Sequence, residues 1–224
     1  VAPPTRGQIW PKLRAVKGIC AVTCFIVLFS LIQVTLAAPP VGKVIYLKGK
    51  ATFAGQGINV NQELASNGVV ATGPSSILKI YISTWQSTIV LGSYSTMELN
   101  LENANRPGDA PVIYTLEKGL CRWISDPGSK GSSRKGIHTK IAAIGVRGTD
   151  FILKENPLLS ETETVVFEGE VVMVSKLDNP SESQIKIGQW GGLGGRFGQN
   201  VIRVIDLPPV VLDEFHKLLP HGKP

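Results

Sequence analysis

The sequence predicts an all-β fold, and three observations lead to this prediction. From residue 41 onward, short runs of β-branched and aromatic residues dominate the chain. Gly, Pro, Asn or Asp interrupts these runs every several residues, which is typical of short strands joined by turns. Helical periodicity is almost absent there. The expected strands cover residues 44–47, 77–82, 88–91, 96–101, 112–116, 151–153, 164–167, 171–174 and 201–205.

Alternation within these runs predicts which face of each strand is buried. Met97, Leu99 and Leu101 alternate with polar residues, as expected when one face packs on a core and the other meets water.

Three connections also share one form, in which a charged residue is followed by a glycine at Gly49, Gly119 or Gly169. Glycine tolerates positive φ, so we expect hairpin-like or coil-like turns, in the manner of a β-roll.

The last part of the chain predicts a different organisation. The glycine-rich run at residues 191–198 is expected to be a connector or bulge rather than a phosphate-binding loop, since it lacks the Lys-Ser/Thr ending. One strand and a short helix should follow. Asp206 and the prolines behind it suit a capped helix start, and the face of the helix that contacts the sheet should carry Val211, Leu212, Phe215 and Leu218.

The first 37 residues resemble an export signal. Arg6, Lys12, Arg14 and Lys17 precede an uncharged apolar stretch at residues 19–32. Thr35 and Ala37 provide small residues for cleavage after position 37, although about 20 uncharged residues could instead remain as a membrane anchor. Either alternative places the later residues outside the cytoplasm, and we expect a periplasmic protein that contacts the membrane only if this leader is retained.

Charge and cysteine content exclude several function classes from the exported part. The net charge of +6 includes the four leader cations, so the remainder is close to neutral and offers no concentrated basic face for nucleic acid. Cys121 is the one cysteine beyond the leader and is expected to be buried and inert. The three histidines lack neighbours at metal-ligand spacing, and no catalytic motif is present, so we expect no metal, no cofactor and no catalytic residues.

Residues 139–153 carry a motif that closely resembles the signature of the FecR domain, the exported domain of the iron-dicitrate sensor family. Residues 42–49 are similar to the opening strand and turn of that family, residues 68–73 to its next turn, and residues 167–171 to its closing hairpin. The likeness extends over about residues 41–190. The motif itself consists of Gly145, Val146, Arg147, Gly148, Thr149, Asp150 and Phe151.

The resemblance implies an all-β, solenoid-like or β-roll interaction domain with a mainly structural role for the motif. Classical members also carry a cytoplasmic module that regulates a sigma factor, whereas only about 17 residues precede the apolar stretch here. We therefore expect a stand-alone secreted form. Its predicted parts are a leader (1–37), a FecR-like β domain (38–190), and a glycine-rich turn, strand and helix (191–224).

Three hypotheses for function follow. The first is a non-catalytic scaffold that binds another protein of the bacterial envelope, through strand edges or loops. The second is a cell-wall glycan-binding module in which exposed Trp85, Trp123 and Trp190 stack on sugars, the alternative for these rings being burial in the core. The third is a hydrolase that acts on envelope polymers.

Overall fold

The structure is a computed structural model that describes residues 42–64, 67–99, 112–125, 135–178 and 181–220. All of these residues belong to one compact unit, Ala38–Pro224. The predicted leader lies outside the described residues. Among the residues that are described, no helix is both long enough and apolar enough to span a bilayer.

The all-β prediction is confirmed. Short 3₁₀ turns lie at Ser83–Trp85 and Gly195–Phe197, and one α-helix, α1, covers Pro209–Leu218. The strands are β1 (Gly42–Lys48), β2 (Ala51–Phe53), β3 (Gln56–Gly57), β4 (Glu63–Leu64), β5 (Gly68–Thr72), β6 (Ile77–Ile82), β7 (Ser87–Leu91), β8 (Thr96–Leu99), β9 (Val112–Ser125), β10 (Lys135–His138), β11 (Ala142–Asn156), β12 (Glu161–Ser175), β13 (Glu182–Lys186), β14 (Gln189–Gly194) and β15 (Gly198–Asp206).

The strands form one continuous hydrogen-bonded sheet that folds over on itself. Its main order is β15-β14-β12-β11-β10-β9-β7-β6-β1-β4. Strand β13 pairs with β12. A side branch starts at β9 and runs through β8, β5, β2 and β3, each strand paired with the one before it. Within the described residues every pairing is antiparallel except that of β9 with β10. The folded sheet has two layers, and three strands run through both.

Those three strands are β9, β11 and β12. The beginning of β9 pairs with β8 and β10, whereas its end pairs with β7 and β11. Similarly, β12 pairs first with β14 and then with β13. We call the layer that contains β6, β7, β14 and the end of β9 the first layer, and the layer that contains β5, β8, β10 and β13 the second layer.

The three charged-residue–glycine connections are the corners at which the chain passes between layers, so of the two expected forms they are coil-like turns and not hairpins. Gly49 links β1 to β2, which do not pair with each other, and Gly119 and Gly169 lie inside continuous strands. All three glycines have positive φ, at 81°, 94° and 73°. Positive φ serves a corner as well as a reversal, so the sequence alone does not distinguish the two.

Two of the corners repeat the same contact with a serine. The N–H of Lys50, just after Gly49, donates to Ser76 Oγ at 2.9 Å, and the N–H of Leu120, just after Gly119, donates to Ser95 Oγ at 2.9 Å. A Cβ atom at either glycine would collide with that serine. Glycine is therefore required both for its backbone angle and for this close approach.

The main core lies between the two layers. Ile80 and Phe151 from the first layer and Met97 and Val171 from the second are fully buried in one apolar cluster. Cys121 belongs to the same cluster, as expected, and burial raises the pKa of its thiol. Two smaller apolar clusters lie on the other side of the first layer, where α1 packs.

Candidate functional site

The surface of the first layer that faces away from the core, which we call the outer face, carries the most distinctive chemistry of the described chain. Strand register aligns one row of residues across it, each opposite the next: Lys79, Val90, Arg122, Ile152, Val165, Trp190 and Ile205. Apolar residues fill most of this row. Helix α1 covers part of it, which leaves a groove beside the helix.

Helix α1 begins at a proline, as predicted, but Asp206 does not cap it. The residue before the first helical position is Pro208, and no side chain caps the helix. The carboxylate of Asp206 instead accepts a hydrogen bond from Gln189 Nε2 at 2.9 Å, because Asp206 still belongs to β15. Of the predicted contact face, Leu212 and Phe215 pack on the sheet, whereas Leu218 remains half exposed.

A buried guanidinium holds the end of α1 on the sheet. Arg122, which is 2% exposed, donates to both carboxylate oxygens of Asp150, at 2.8 and 2.7 Å. It also donates to the carbonyl of Leu219 at 2.7 Å, just beyond the helix. Charge-assisted, two-pronged bonds of this kind combine strength with fixed geometry. We call Arg122, Asp150, His216 and Phe167 the clamp.

Aromatic contacts complete the clamp. The guanidinium carbon of Arg122 lies 4.6 Å from the centre of the Phe167 ring, which stacks against His216 at 3.8 Å. His216 Nδ1 lies 3.2 Å from a guanidinium nitrogen that can only donate, so Nδ1 accepts and the proton of a neutral ring resides on Nε2. Burial, followed by the positive charge of Arg122, lowers the pKa of His216.

The sequence motifs do not predict this clamp. Asp150 belongs to the motif at residues 145–151, but nothing in that motif indicates Arg122 as its partner. A usable signal was present, since an arginine in the middle of an apolar strand needs a partner when it is buried. Its partners lie 28 residues away at Asp150 and 97 residues away at Leu219, distances over which local pattern gives no guidance.

The motif at residues 145–151 forms the corner of β11. Gly148 has a φ of 59°, and the register between β11 and β12 shifts on both sides of Asp150. Val146 and Phe151 point into the core, and the N–H of Thr149 donates to Ser125 Oγ at 3.3 Å. Arg147 lies opposite Glu170 in the register and Gly145 opposite Val172.

Burial contradicts the hypothesis that three exposed tryptophans form a glycan platform. Trp85 and Trp123 are 5% and 0% exposed, and their rings pack against each other with centroids 5.4 Å apart. Tyr114 completes this aromatic cluster inside the main core. Burying large aromatic area is worth more to the fold than leaving the rings in water. Only Trp190 of the three reaches the surface, where it is half-buried.

Trp190 directly precedes the glycine-rich run, whose first four residues belong to β14 and whose next three form the 3₁₀ turn that joins β14 to β15, with a register shift between Gly192 and Gly194. Gly191 and Gly192 belong to β14, and the Trp190 indole lies directly over the position that a Cβ of Gly192 would occupy. The indole N–H donates to Glu163 Oε2 at 3.3 Å. The missing Cβ thus lets the ring lie flat on the outer face, where it forms part of the groove floor.

The groove has a volume of about 800 Å³ and is mostly apolar. Leu120, Ile152, Val165 and Trp190 line its floor, and Phe215 and Leu218 of α1 line one wall. Its rim includes Leu158, which lies at the tip of the β11–β12 hairpin and is 94% exposed. Exposed apolar surface of this kind marks binding sites more often than catalytic ones.

Polar groups lie only at the rim of the groove. Lys154 and Glu163 form an ion pair at 2.9 Å, and within the described residues the Lys118 ammonium has no carboxylate partner. Neither Cys nor His lines the groove, and the described residues hold no cluster of His, Cys, Asp or Glu suited to a metal ion. The groove can therefore bind a ligand that is apolar where it contacts the floor and negatively charged where it meets Lys118 at the rim.

A second buried polar cluster lies between the layers, beneath the edge of the groove. Glu155 is 2% exposed, and its Oε2 accepts a hydrogen bond from Thr162 at 2.5 Å, while its Oε1 has no partner among the described residues. Burial raises the pKa of this carboxyl group. The nearby Lys176 ammonium donates to the carbonyl of Thr139 at 2.8 Å rather than to Glu155.

Comparison with known proteins agrees with the resemblance found in the sequence. Residues 68–172 match the family model described as FecR protein. No curated protein matches the chain. Two crystal structures from Parabacteroides distasonis, both described as a candidate anti-sigma factor, share the fold at 12% sequence identity, with TM-scores of 0.52 and 0.50. Each alignment covers 66% of this chain, and the chain spans 64% and 63% of the length of these two proteins.

Proposed function

Because residues 68–172 are a FecR domain, we propose that this chain is a non-catalytic regulatory protein of the bacterial envelope that binds another protein at the groove beside α1. The observation that carries the proposal is the groove itself, which is lined mostly by apolar side chains and exposes Leu218 of its helical wall and Leu158 of its rim to solvent. The structural neighbours described as candidate anti-sigma factors support a regulatory role.

The chemistry of the groove supports binding rather than turnover. The ionisable groups at its rim are Lys118, Lys154 and Glu163, of which Lys154 and Glu163 form an ion pair. Glu155 also borders the groove, but its carboxylate lies between the layers. A hydrolase would need a nucleophile or water held between converging acid and base groups. The apolar lining instead matches the buried centre of a protein interface.

The rim also indicates what kind of partner fits. A protein that contributes an apolar cluster would cover the floor and contact Leu158 and Leu218. A carboxylate at the edge of that cluster would meet Lys118, whose ammonium is exposed and unpaired within the described part of the chain. Opposite charges at an interface rim increase the association rate and select partners.

Export supports the envelope as the place of action. The apolar stretch at residues 19–32 follows four cations, as in an export signal, and FecR domains are typical of membrane-linked regulators. We therefore propose that the domain works in the periplasm, either free or tethered by its leader. The mature N-terminus, identified by mass spectrometry, would distinguish these two forms.

Site-specific photo-crosslinking in intact cells tests the groove. A photoreactive amino acid at position 158 should give a discrete protein adduct, whereas the same group at Val69, an exposed apolar residue of β5, should not. The adduct should disappear with Lys118→Glu. The adduct protein, identified and purified, should bind the wild-type chain about tenfold more tightly than Lys118→Glu.

Two outcomes would contradict the proposal. Identical adduct patterns from positions 158 and 69 would mean that the groove has no specific protein partner. Sedimentation of the purified chain with isolated cell wall, abolished by Trp190→Ala but not by Val69→Ala, would favour glycan recognition at Trp190 instead.

A further inference from the structure

The edge of β15 is the longest open strand edge in the described structure. β15 ends the strand order, pairs with β14, and has no described strand on its other side. It is nine residues long. Each N–H and C=O that points away from β14 is a hydrogen-bonding group that an added strand could use.

Among the other edge strands, β3, β4 and β13 are protected. β3 and β4 are two residues long, which is too short to template another strand. β13 is five residues long, and its Glu182, Gln184 and Lys186 are exposed. Short length and outward charges are the usual protection against unwanted pairing. β15 is longer than these strands, and along residues 202–205 it carries one outward charge, that of Arg203.

The side chains of β15 show what an added strand would have to provide. Ile202 and Val204 pack into the main core, so Arg203 and Ile205 project on the outer face. Ile205 is 55% exposed although it continues the apolar row that runs through Val165 and Trp190. Within the described residues Arg203 is exposed and forms no ion pair.

A second copy of this chain does not satisfy these two side chains. In a symmetric antiparallel pair of β15 strands, the register centred on Arg203 places two guanidinium groups opposite each other, which is repulsive. The register centred on position 204 places Ile205 opposite Arg203, which sets an apolar side chain against a charged one. The register centred on Ile205 overlaps only residues 204–206, since the strand ends at Asp206. Because none of these registers satisfies both Arg203 and Ile205, the edge favours a segment of a different protein over a second copy of this chain.

We propose that the edge of β15 takes up an extended segment of another protein as an added strand, with a carboxylate opposite Arg203 and a branched apolar side chain opposite Ile205. Backbone hydrogen bonds would supply the affinity, and the two side chains would select the sequence. The inference deepens the proposed function, on which it rests in taking the partner to be a protein, and it adds a contact surface separate from the groove.

Two synthetic peptides of about nine residues test the proposal. One repeats Glu-Thr-Val-Thr, which places Glu and Val alternately on one face of a strand, and the other has Lys in place of each Glu. By fluorescence anisotropy, the full chain should bind the Glu peptide about tenfold more tightly than the Lys peptide. Arg203→Glu should reverse this preference, and Ile205→Lys should weaken binding of the Glu peptide.

Hydrogen exchange locates the bound peptide. The Glu peptide should slow exchange of the amides at residues 198–206 and leave those of β13 unchanged. The proposal is overturned if neither peptide binds, if Arg203→Glu does not reverse the preference, or if protection appears elsewhere. Binding that is lost with Leu158→Ser but kept with Ile205→Lys would assign the peptide to the groove, which would remove the edge proposal and leave the proposed function standing.

Discussion

Removing Asp150 should be among the most destabilising single changes in the chain. Asp150→Leu deletes the acceptor of two bonds from Arg122, at 2.8 and 2.7 Å, and leaves a guanidinium that is 2% exposed without its counter-charge. Hydrogen bonds to charged groups contribute about 1.5–3 kcal/mol each, so we expect a loss of about 3–5 kcal/mol. That is a large share of the roughly 5–15 kcal/mol by which a domain is stable.

The double variant Arg122→Met/Asp150→Leu separates the ion pair from simple packing. Replacing both partners removes the buried charge, so the double variant should be more stable than Asp150→Leu alone. It should remain somewhat less stable than the wild type, because the bond from Arg122 to the Leu219 carbonyl is lost as well. This non-additivity is the signature of a direct interaction.

Urea unfolding, followed by both circular dichroism and tryptophan fluorescence, measures these free energies. Agreement of the two probes supports a two-state treatment. Lys217→Ala is the matched control, since it removes an ion pair with Glu214 in which both side chains are mostly exposed, and it should cost less than about 1 kcal/mol. The reasoning is refuted if Asp150→Leu costs no more than this control, or if the double variant is the less stable one.

Three further predictions concern the corners, the buried carboxyl and the thiol. Gly119→Ala should destabilise the chain by about 1–3 kcal/mol in urea unfolding, because alanine is strained at positive φ and its Cβ would collide with Ser95. Adding Ser95→Ala should restore part of the lost stability. Equal stability of Gly119→Ala and wild type would contradict the corner geometry. Because the pKa of Glu155 is raised, its contribution to stability is greatest below the ordinary pKa of glutamate and falls as the pH rises through the raised value. Glu155→Gln should therefore be more stable than wild type near neutral pH, with a difference that shrinks on acidification; a difference independent of pH between 4 and 8 would show that the carboxyl is not responsible. Burial and a raised pKa should keep Cys121 unreactive towards a thiol reagent in the native state and reactive in urea, and rapid native labelling would show that the core opens there.

The strands could be predicted from the sequence because alternation is a local property. Met97 and Leu99 alternate with polar neighbours and are buried as expected, and the run at residues 201–205 lies within β15. The positions of the corners could also be predicted, but their form could not, since glycine with positive φ fits a hairpin and a crossing between layers equally well. Only strand pairing distinguishes them, and pairing is set by contacts between distant residues.

The candidate site was much less predictable. Trp85 and Trp123 were candidates for the surface because they lie near strand ends, whereas the folded sheet brings them together inside the core. The groove depends on α1 packing against strands more than 40 residues earlier, as in the contact of Phe215 with Ile152 and Val165. No local pattern reports such a contact, although the apolar spacing of the helix correctly indicated Leu212 and Phe215 as residues that pack on the sheet, while Val211 and Leu218 remain exposed.

The three strands that run through both layers also limit how the protein can respond to a partner. Rigid halves can hinge or slide only where the backbone between them is free to change its angles. Here β9, β11 and β12 run from one layer into the other as continuous strands, and at Gly119 and Gly169 the backbone lies so close to Ser95 and to Gly148 that a Cβ atom would collide with them. In contrast, α1 rests on this β body through the clamp and the side chains of Leu212 and Phe215, so a partner bound in the groove would act on α1 rather than on the corners.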